Sequence, residues 1–219
     1  MRGLYAIVDV SSLASRGLEP VSFARAVLAA RPAALQIRAK DTSTRELLAL
    51  LRSIAPLCRG AGVPLVANDR ADVATLAGCD YVHLGQKDLS IDLVRRIAPG
   101  LRVGLSTHTL AQLDRALAVR PAYVAYGPVF LTESKAKPDP CVGLQGLAEA
   151  AVRARAAGIP LVAIGGISLA RVKEISAIAD AWAVIAALLP AMADGPAAAL
   201  AEAATRARML SRGGVEVPA

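Results

Sequence analysis

Aromatic residues are nearly missing from this 219-residue chain: Phe, Trp and Tyr together make up 3% of it, against 55% hydrophobic residues overall. A core can still be built from Val, Ile, Leu and Ala without rings. What the scarcity removes is a stacking surface for bases. The net charge of +7 sits on scattered basic residues, with no dense Lys/Arg run and no aromatic interleaving, so a nucleic-acid partner is not expected. Cysteine is sparse too. Cys58, Cys79 and Cys141 are odd in number and widely spaced, with no C-x-x-C pair for zinc or redox chemistry, and read as structural thiols.

Long hydrophobic runs are absent as well. The longest, Ala181 to Ala193, is interrupted by Pro190 and falls short of the roughly 20 residues a membrane helix needs. The first nine residues do not resemble a signal peptide, because their apolar part is short and ends in Asp9. A cytoplasmic address without a membrane partner is the expectation. Nothing in the chain fixes the oligomeric state, and a homo-oligomer stays open.

What is present is a repeated pattern. Eight short apolar runs occur at Leu4–Val8, Ala34–Ile37, Pro64–Ala67, Tyr81–Leu84, Leu101–Leu105, Tyr123–Tyr126, Pro160–Ile164 and Trp182–Ile185. Helical patterns lie between them, such as Thr44–Cys58 with Leu47, Leu48, Leu51 and Ile54 on one stripe, and Leu110–Ala118 with Leu113 and Leu117 four apart. Thr109 and Ser168 are placed to cap the helices that follow them.

Runs of Val, Ile and Leu without alternation belong to strands buried on both faces, as in a parallel sheet wrapped in helices. Eight βα units imply an α/β fold closed as a single (β/α)8 TIM barrel with parallel strands, and the length suits one such domain. No Gly-x-Gly-x-x-Gly turn follows the first run, which disfavours a doubly wound sheet. Residues 1–212 are expected to form the barrel and 213–219 a disordered tail. A faint internal echo agrees: Gly62-Val-Pro-Leu-Val-Ala67 reappears as Gly158-Ile-Pro-Leu-Val-Ala163, four units later.

Barrel active sites lie at the carboxyl ends of the strands. There the second run presents Gln36, Arg38 and Lys40 at period two, on one face of a strand. Asp69 follows the third run and Asp88 the fourth. Neighbouring strands are about 4.8 Å apart, so these groups can reach one ligand. Two close carboxylates repel unless a cation lies between them. Mg²⁺ fits, held by the two acids with water and phosphate oxygens in its other positions, and Arg38 and Lys40 alongside point to a diphosphate. For Asp69 alone, pairing with Arg70 or capping the next helix is an equal alternative.

Four of the five lysines (Lys40, Lys87, Lys135 and Lys137, but not Lys173) follow an apolar run, which hints at anion handling. After the sixth run comes the longest loop, in which Thr132, Ser134 and Lys135 suit a lid over phosphate. Gly165-Gly166 after the seventh run can admit an anion to backbone N–H groups, although a tight turn also selects glycine. The eighth run ends in Val184-Ile185-Ala186-Ala187. Ser106 lies nearest the end of the fifth run and is the better phosphate contact there. His83 reads as a satisfied interior residue, and His108 carries no assignment.

Together, Gln36-Ile-Arg38-Ala-Lys40, Asn68-Asp69, His83-Leu-Gly85-Gln86-Lys-Asp88, Ser106-Thr-His108, Gly127-Pro-Val-Phe-Leu-Thr132-Glu-Ser134-Lys135 and Ile164-Gly165-Gly166-Ile167 resemble the thiamine phosphate synthase family. The resemblance implies coupling of 4-amino-5-hydroxymethyl-2-methylpyrimidine diphosphate to a thiazole phosphate, with release of diphosphate and use of Mg²⁺. By that analogy Arg38, Lys40 and Lys135 bind the diphosphate, with Ser106 beside them as a catalytic candidate, and Asp69 and Asp88 bind the metal. Gln36 and Asn68 face the pyrimidine. Thr132, Ser134, Gly165, Gly166, Ala186 and Ala187 hold the thiazole phosphate.

Two positions depart from the pattern: Ala39 stands where the family often has an acid, and Ala186 where it usually has serine. A related thiazole tautomerase branch shares the barrel without needing the diphosphate and metal residues, and their retention favours the synthase. A non-catalytic phosphate-ligand barrel is the alternative from another class.

Overall fold

The computed structural model describes residues 1–132, 140–191 and 195–213. Eight parallel strands follow one another around a closed barrel: β1 (Gly3–Asp9), β2 (Ala34–Arg38), β3 (Leu65–Asn68), β4 (Tyr81–Leu84), β5 (Arg102–Thr107), β6 (Tyr123–Tyr126), β7 (Leu161–Ile164) and β8 (Ala181–Val184), with β8 pairing back onto β1. Helices lie outside it: α1 (Val10–Ala14), α2 (Pro20–Leu28), α3 (Thr44–Ala61), α4 (Ala71–Ala77), α5 (Ile91–Ile97), α6 (Leu110–Ala118), α7 (Gly143–Ala156), α8 (Val172–Ser176) and α9 (Gly195–Ser211). This is a single (β/α)8 TIM barrel. The expected tail falls, from residue 214 on, outside the described residues.

Each apolar run of the sequence became a strand because both of its faces are covered. Side chains such as Leu4, Leu35, Leu65 and Val82 point outward into the layer shared with the helices. The alternate set, Tyr5, Ile7, Ala34, Val66, Tyr123, Ala125, Val162, Ala181 and Ala183, fills the barrel interior. Three of the few aromatic residues meet there, with the Tyr123 ring centroid 5.7 Å from that of Tyr5 and 5.9 Å from that of Tyr81.

Local signals set the helix ends. Ser43 and Glu46 form a reciprocal capping box at the start of α3, and Gly62, with φ of 67°, ends that helix in the left-handed region. Thr109 caps α6 as expected, accepting from Gln112 N–H. Ser168 does not cap: its side chain makes no such bond, and the chain enters through a 3-10 turn, Leu169–Arg171, before the short α8. Strand β5 runs two residues beyond its apolar run, since Thr107 pairs with Tyr126 and its hydroxyl donates to the Ala125 carbonyl at 2.8 Å.

The internal echo has a structural counterpart. Leu65 N–H donates to an Asp80 carboxylate oxygen at 2.8 Å, and Leu161 N–H to an Asp180 oxygen at 3.0 Å. Pro64 and Pro160 carbonyls accept from Leu35 and Val124, each at 3.0 Å. Gly62 and Gly158 share a φ of 67°. Strands β3 and β7 are thus latched alike at the amino-terminal rim, opposite the polar groups described next.

The Cys58 and Cys79 thiols are pushed up to about 12 by burial, which leaves them protonated and unreactive. Among the described residues no helix is long and apolar enough to cross a membrane.

Candidate active site

Strand alternation brings Gln36 and Arg38 to the barrel lumen and its carboxyl rim, and Lys40 follows two residues later in an exposed turn. Asp69 stands directly after β3. Its N–H donates to the His83 carbonyl at 2.9 Å, and its φ of 64° puts the residue in the left-handed region. Asp88 closes the turn after β4, with Oδ2 accepting from Gly85 N–H at 2.6 Å.

The Asp69 carboxyl is raised to about 6, first by burial and then by Asp88, with Lys40 and Arg38 pulling the other way. Asp88, Lys40 and Arg38 therefore each lie within electrostatic reach of Asp69. The alternative roles for Asp69 do not occur: Arg70 pairs with Asp72 at 2.6 Å, and the N-cap of α4 is Arg70. A cleft of about 230 Å³ opens between the turns after β2 and β3, with Lys40, Asn68 and Asp69 in its wall.

The donor set fits Mg²⁺. Two carboxyls held side chain to side chain, one of them driven toward its protonated form by burial and then by the other, are a pair that a divalent cation relieves. Among the described residues no group of three or more His, Cys, Asp or Glu forms a closed metal cage. A cation held by two acids keeps its other positions for water and phosphate oxygens, the habit of Mg²⁺.

Arg38 has a partner that sequence reasoning missed. Asp9, the last residue of β1 and 4% exposed, receives a charge-assisted hydrogen bond from the Arg38 guanidinium. Asp9 also caps α1 through Ser12 N–H at 2.9 Å. Burial pushes the Asp9 carboxyl up, but the Ser12 and Arg38 hydrogen bonds outweigh it and hold the group below the usual carboxylate range. A carboxylate directly after the first apolar run was the available signal, the same one that singled out Asp69.

The lumen floor of the site is a chain of polar side chains. Gln36 Nε2 donates to Asn68 Oδ1 at 2.9 Å, and the Tyr5 hydroxyl donates to Gln36 Oε1 at 2.6 Å. Tyr5 and Tyr123 hydroxyls meet at 2.8 Å, Tyr123 meets His83 Nδ1 at 2.9 Å, and His83 Nε2 meets Ser106 Oγ at 2.7 Å. His83 is the satisfied interior residue expected, with burial lowering it to about 4. Ser106 lies within β5 with its hydroxyl on His83, and its carbonyl accepts from Gln86 Nε2 at 2.6 Å. Tyr5 and Tyr123 were not singled out by the sequence, where they read as ordinary core positions.

Beyond β6 and β7 two turns pack backbone against backbone. Val129 N–H donates to the Ile164 carbonyl at 2.9 Å and Phe130 N–H to the Gly165 carbonyl at 3.1 Å. A Cβ on Gly165 would lie 2.5 Å from Pro128 Cα, and one on Gly166 2.3 Å from the Leu131 carbonyl oxygen. Close packing by itself therefore requires both glycines. Arg171 spans the two turns, its guanidinium 4.0 Å over the Phe130 ring and 3.3 Å from the Gly166 carbonyl. His108 Nδ1 donates to the Gly127 carbonyl at 2.6 Å. Thr132 follows the β6 turn, and Ala186 and Ala187 begin a 3-10 turn after β8, at the same rim. Ser134 and Lys135 lie outside the described residues.

The family model described as thiamine monophosphate synthase matches residues 4–188. The thiamine-phosphate synthase of Anaeromyxobacter dehalogenans (strain 2CP-C) is 44% identical over 216 residues, covering 96% of this chain and 91% of that protein. The thiamine-phosphate synthase of Roseiflexus sp. (strain RS-1) is 38% identical over 205 residues, covering 93% and 82%. Among solved structures, thiamine phosphate pyrophosphorylase from Pyrococcus furiosus superposes with a TM-score of 0.78 at 29% identity, covering 95% of this chain and 96% of that one. With the match spanning the barrel from β1 to the turn after β8, the chain belongs to the thiamine monophosphate synthase family.

Proposed function

We propose that this chain is a transferase joining 4-amino-5-hydroxymethyl-2-methylpyrimidine diphosphate to 4-methyl-5-(2-phosphoethyl)thiazole to give thiamine phosphate and diphosphate, or to the carboxylated form of that thiazole with loss of carbon dioxide as well. The observation that carries this reading is the gathering of Arg38, Lys40 and Asp88 around Asp69 at the carboxyl rim of a barrel that matches the family along its length.

In this reading Asp69 and Asp88 hold Mg²⁺, which when bound neutralises charge on the departing diphosphate. Arg38, kept in place by Asp9, and Lys40 take the remaining negative charge, with Lys135 assigned the same task by analogy. Gln36 and Asn68 orient the pyrimidine ring; Ser106, expected from the sequence to contact phosphate, has its hydroxyl on His83 and is assigned to the ring instead. Thr132, Ser134, Gly165, Gly166, Ala186 and Ala187 are assigned to the thiazole phosphate. The bond between the methylene carbon and the diphosphate oxygen breaks as the leaving group is stabilised, and the thiazole nitrogen captures that methylene carbon, whose positive charge the pyrimidine ring shares. Positioning and charge stabilisation carry the reaction, and no side chain needs to act as nucleophile. Biosynthesis of this kind on small phosphorylated substrates accords with a cytoplasmic address.

The test is turnover by the purified chain. Mg²⁺-dependent release of diphosphate from the two substrates together supports the synthase. Isomerisation of the thiazole phosphate without diphosphate release indicates tautomerase chemistry, and binding without turnover indicates a sensor.

A further inference from the structure

Five hydrogen bonds cross the barrel lumen from Asn68 to Ser106, and their directions follow from the orientation of the Gln36 amide, Oε1 toward Tyr5 and Nε2 toward Asn68. Gln36 Oε1 can only accept, so the single proton of Tyr5 is spent on it, 2.6 Å away. The Tyr5 oxygen, 2.8 Å from Tyr123, must then accept, and Tyr123 donates. With its own proton spent, Tyr123 accepts from His83 Nδ1–H at 2.9 Å. His83 is 7% exposed and has hydroxyls, not carboxylates, on both ring nitrogens, so it is neutral and its Nε2 is bare. Ser106 Oγ, 2.7 Å away, donates to that nitrogen.

We propose that Tyr5, Tyr123 and His83 are positioning residues that lock this chain in one direction and so fix what each end shows the ligand. At one end Ser106 Oγ offers lone pairs only. At the other, Gln36 is held with its carbonyl toward Tyr5, and its Nε2 engages Asn68 Oδ1, leaving the Asn68 amide as a donor. A heterocycle bridging the two ends is therefore favoured when it accepts hydrogen bonds at the amide end and donates at the serine end. The mirrored ring, with donor and acceptor exchanged, meets like against like at both ends.

A second observation shows that the chain is built into the fold. The Tyr123 ring is stacked on His83 at 14° with centroids 5.6 Å apart, and it fills the space that a Cβ on Gly104 would take, 2.0 Å from Cζ. Only glycine on β5 leaves room for the ring whose hydroxyl joins the two halves of the chain.

The inference rests on the synthase reading for the ligand, but its central measurement does not. In ¹⁵N-labelled wild-type protein, His83 should give the Nδ1–H tautomer with unprotonated Nε2. Tyr123→Phe keeps the ring and should shift His83 toward the Nε2–H form. Tyr5→Phe releases the Gln36 amide to turn over. Each variant should raise KM for the pyrimidine diphosphate roughly three- to tenfold, the loss of one hydrogen bond's worth of orientation, with KM for the thiazole phosphate unchanged. An Nε2–H tautomer in the wild type overturns the proposal, as does an equal rise in both KM values or no rise in either. If the wild type shows the Nδ1–H form but no synthase turnover, the chain's direction stands and the substrate reading falls.

Discussion

Arg38 reaches the rim already paired: the Asp9 carboxylate at the end of the adjacent strand holds its guanidinium, and the two side chains are only 21% and 5% exposed. The cation meant for the leaving group is thus aimed from behind, by a residue that also caps α1.

Asp9→Asn keeps the helix cap but removes the charge. A loss of about 1–2 kcal/mol at neutral pH is expected, because a partly buried guanidinium is left without its counter-ion. The folded carboxyl titrates below its unfolded value of about 3.9, so its contribution is complete above that pH. It is lost as pH falls through the lower folded value. Urea unfolding of both proteins from pH 7 downward should show the difference closing only at the acid end, and a gap of the same size throughout would refute the pairing.

Asp69→Asn should trade activity for stability. The folded acid titrates near 6, above its unfolded value, so its charged form penalises the fold above that pH and not below the unfolded one. In metal-free buffer at pH 8 the variant should gain about 1 kcal/mol, reduced by the half-exposed setting, and the gain should vanish toward pH 4. Asparagine tolerates the left-handed backbone at this position. With both substrates and Mg²⁺, turnover should fall by about 100-fold or more. Undiminished turnover would remove the metal assignment.

Gly104→Ala places a methyl group 2.0 Å from a ring that is itself fixed by two hydrogen bonds. A cost of about 1–3 kcal/mol is expected, read as a lower melting temperature. An unaltered melting temperature would mean that the ring moves aside freely.

Ala186→Ser restores a hydroxyl at the turn after β8. One hydrogen bond to the thiazole phosphate is worth about 0.5–1.5 kcal/mol, so KM for that substrate should fall roughly two- to tenfold. An unchanged KM would show that backbone N–H groups alone suffice there.

Strands were legible because burial on both faces leaves an unbroken apolar signature, and Tyr81–Leu84 and Tyr123–Tyr126 match their strands residue for residue. The acids after the third and fourth runs were legible because a carboxylate next to an apolar run is costly without a task. Asp9 carried the same signature. Its task depends on register, however, and only pairing of β1 with β2 sets Asp9 opposite Arg38. The tyrosines were hidden for the opposite reason: in a run of core residues a hydroxyl is silent until its partners, 31 and 118 residues away, are known. Ser168 misled because a residue type suited to capping says nothing of whether the following turn is α or 3-10.

The matching latches of β3 and β7 on Asp80 and Asp180 fasten the barrel at the end remote from its chemistry. Cohesion and reactivity are thereby assigned to opposite poles of the same eight staves. A change in the loops at the reactive pole leaves these two latches untouched.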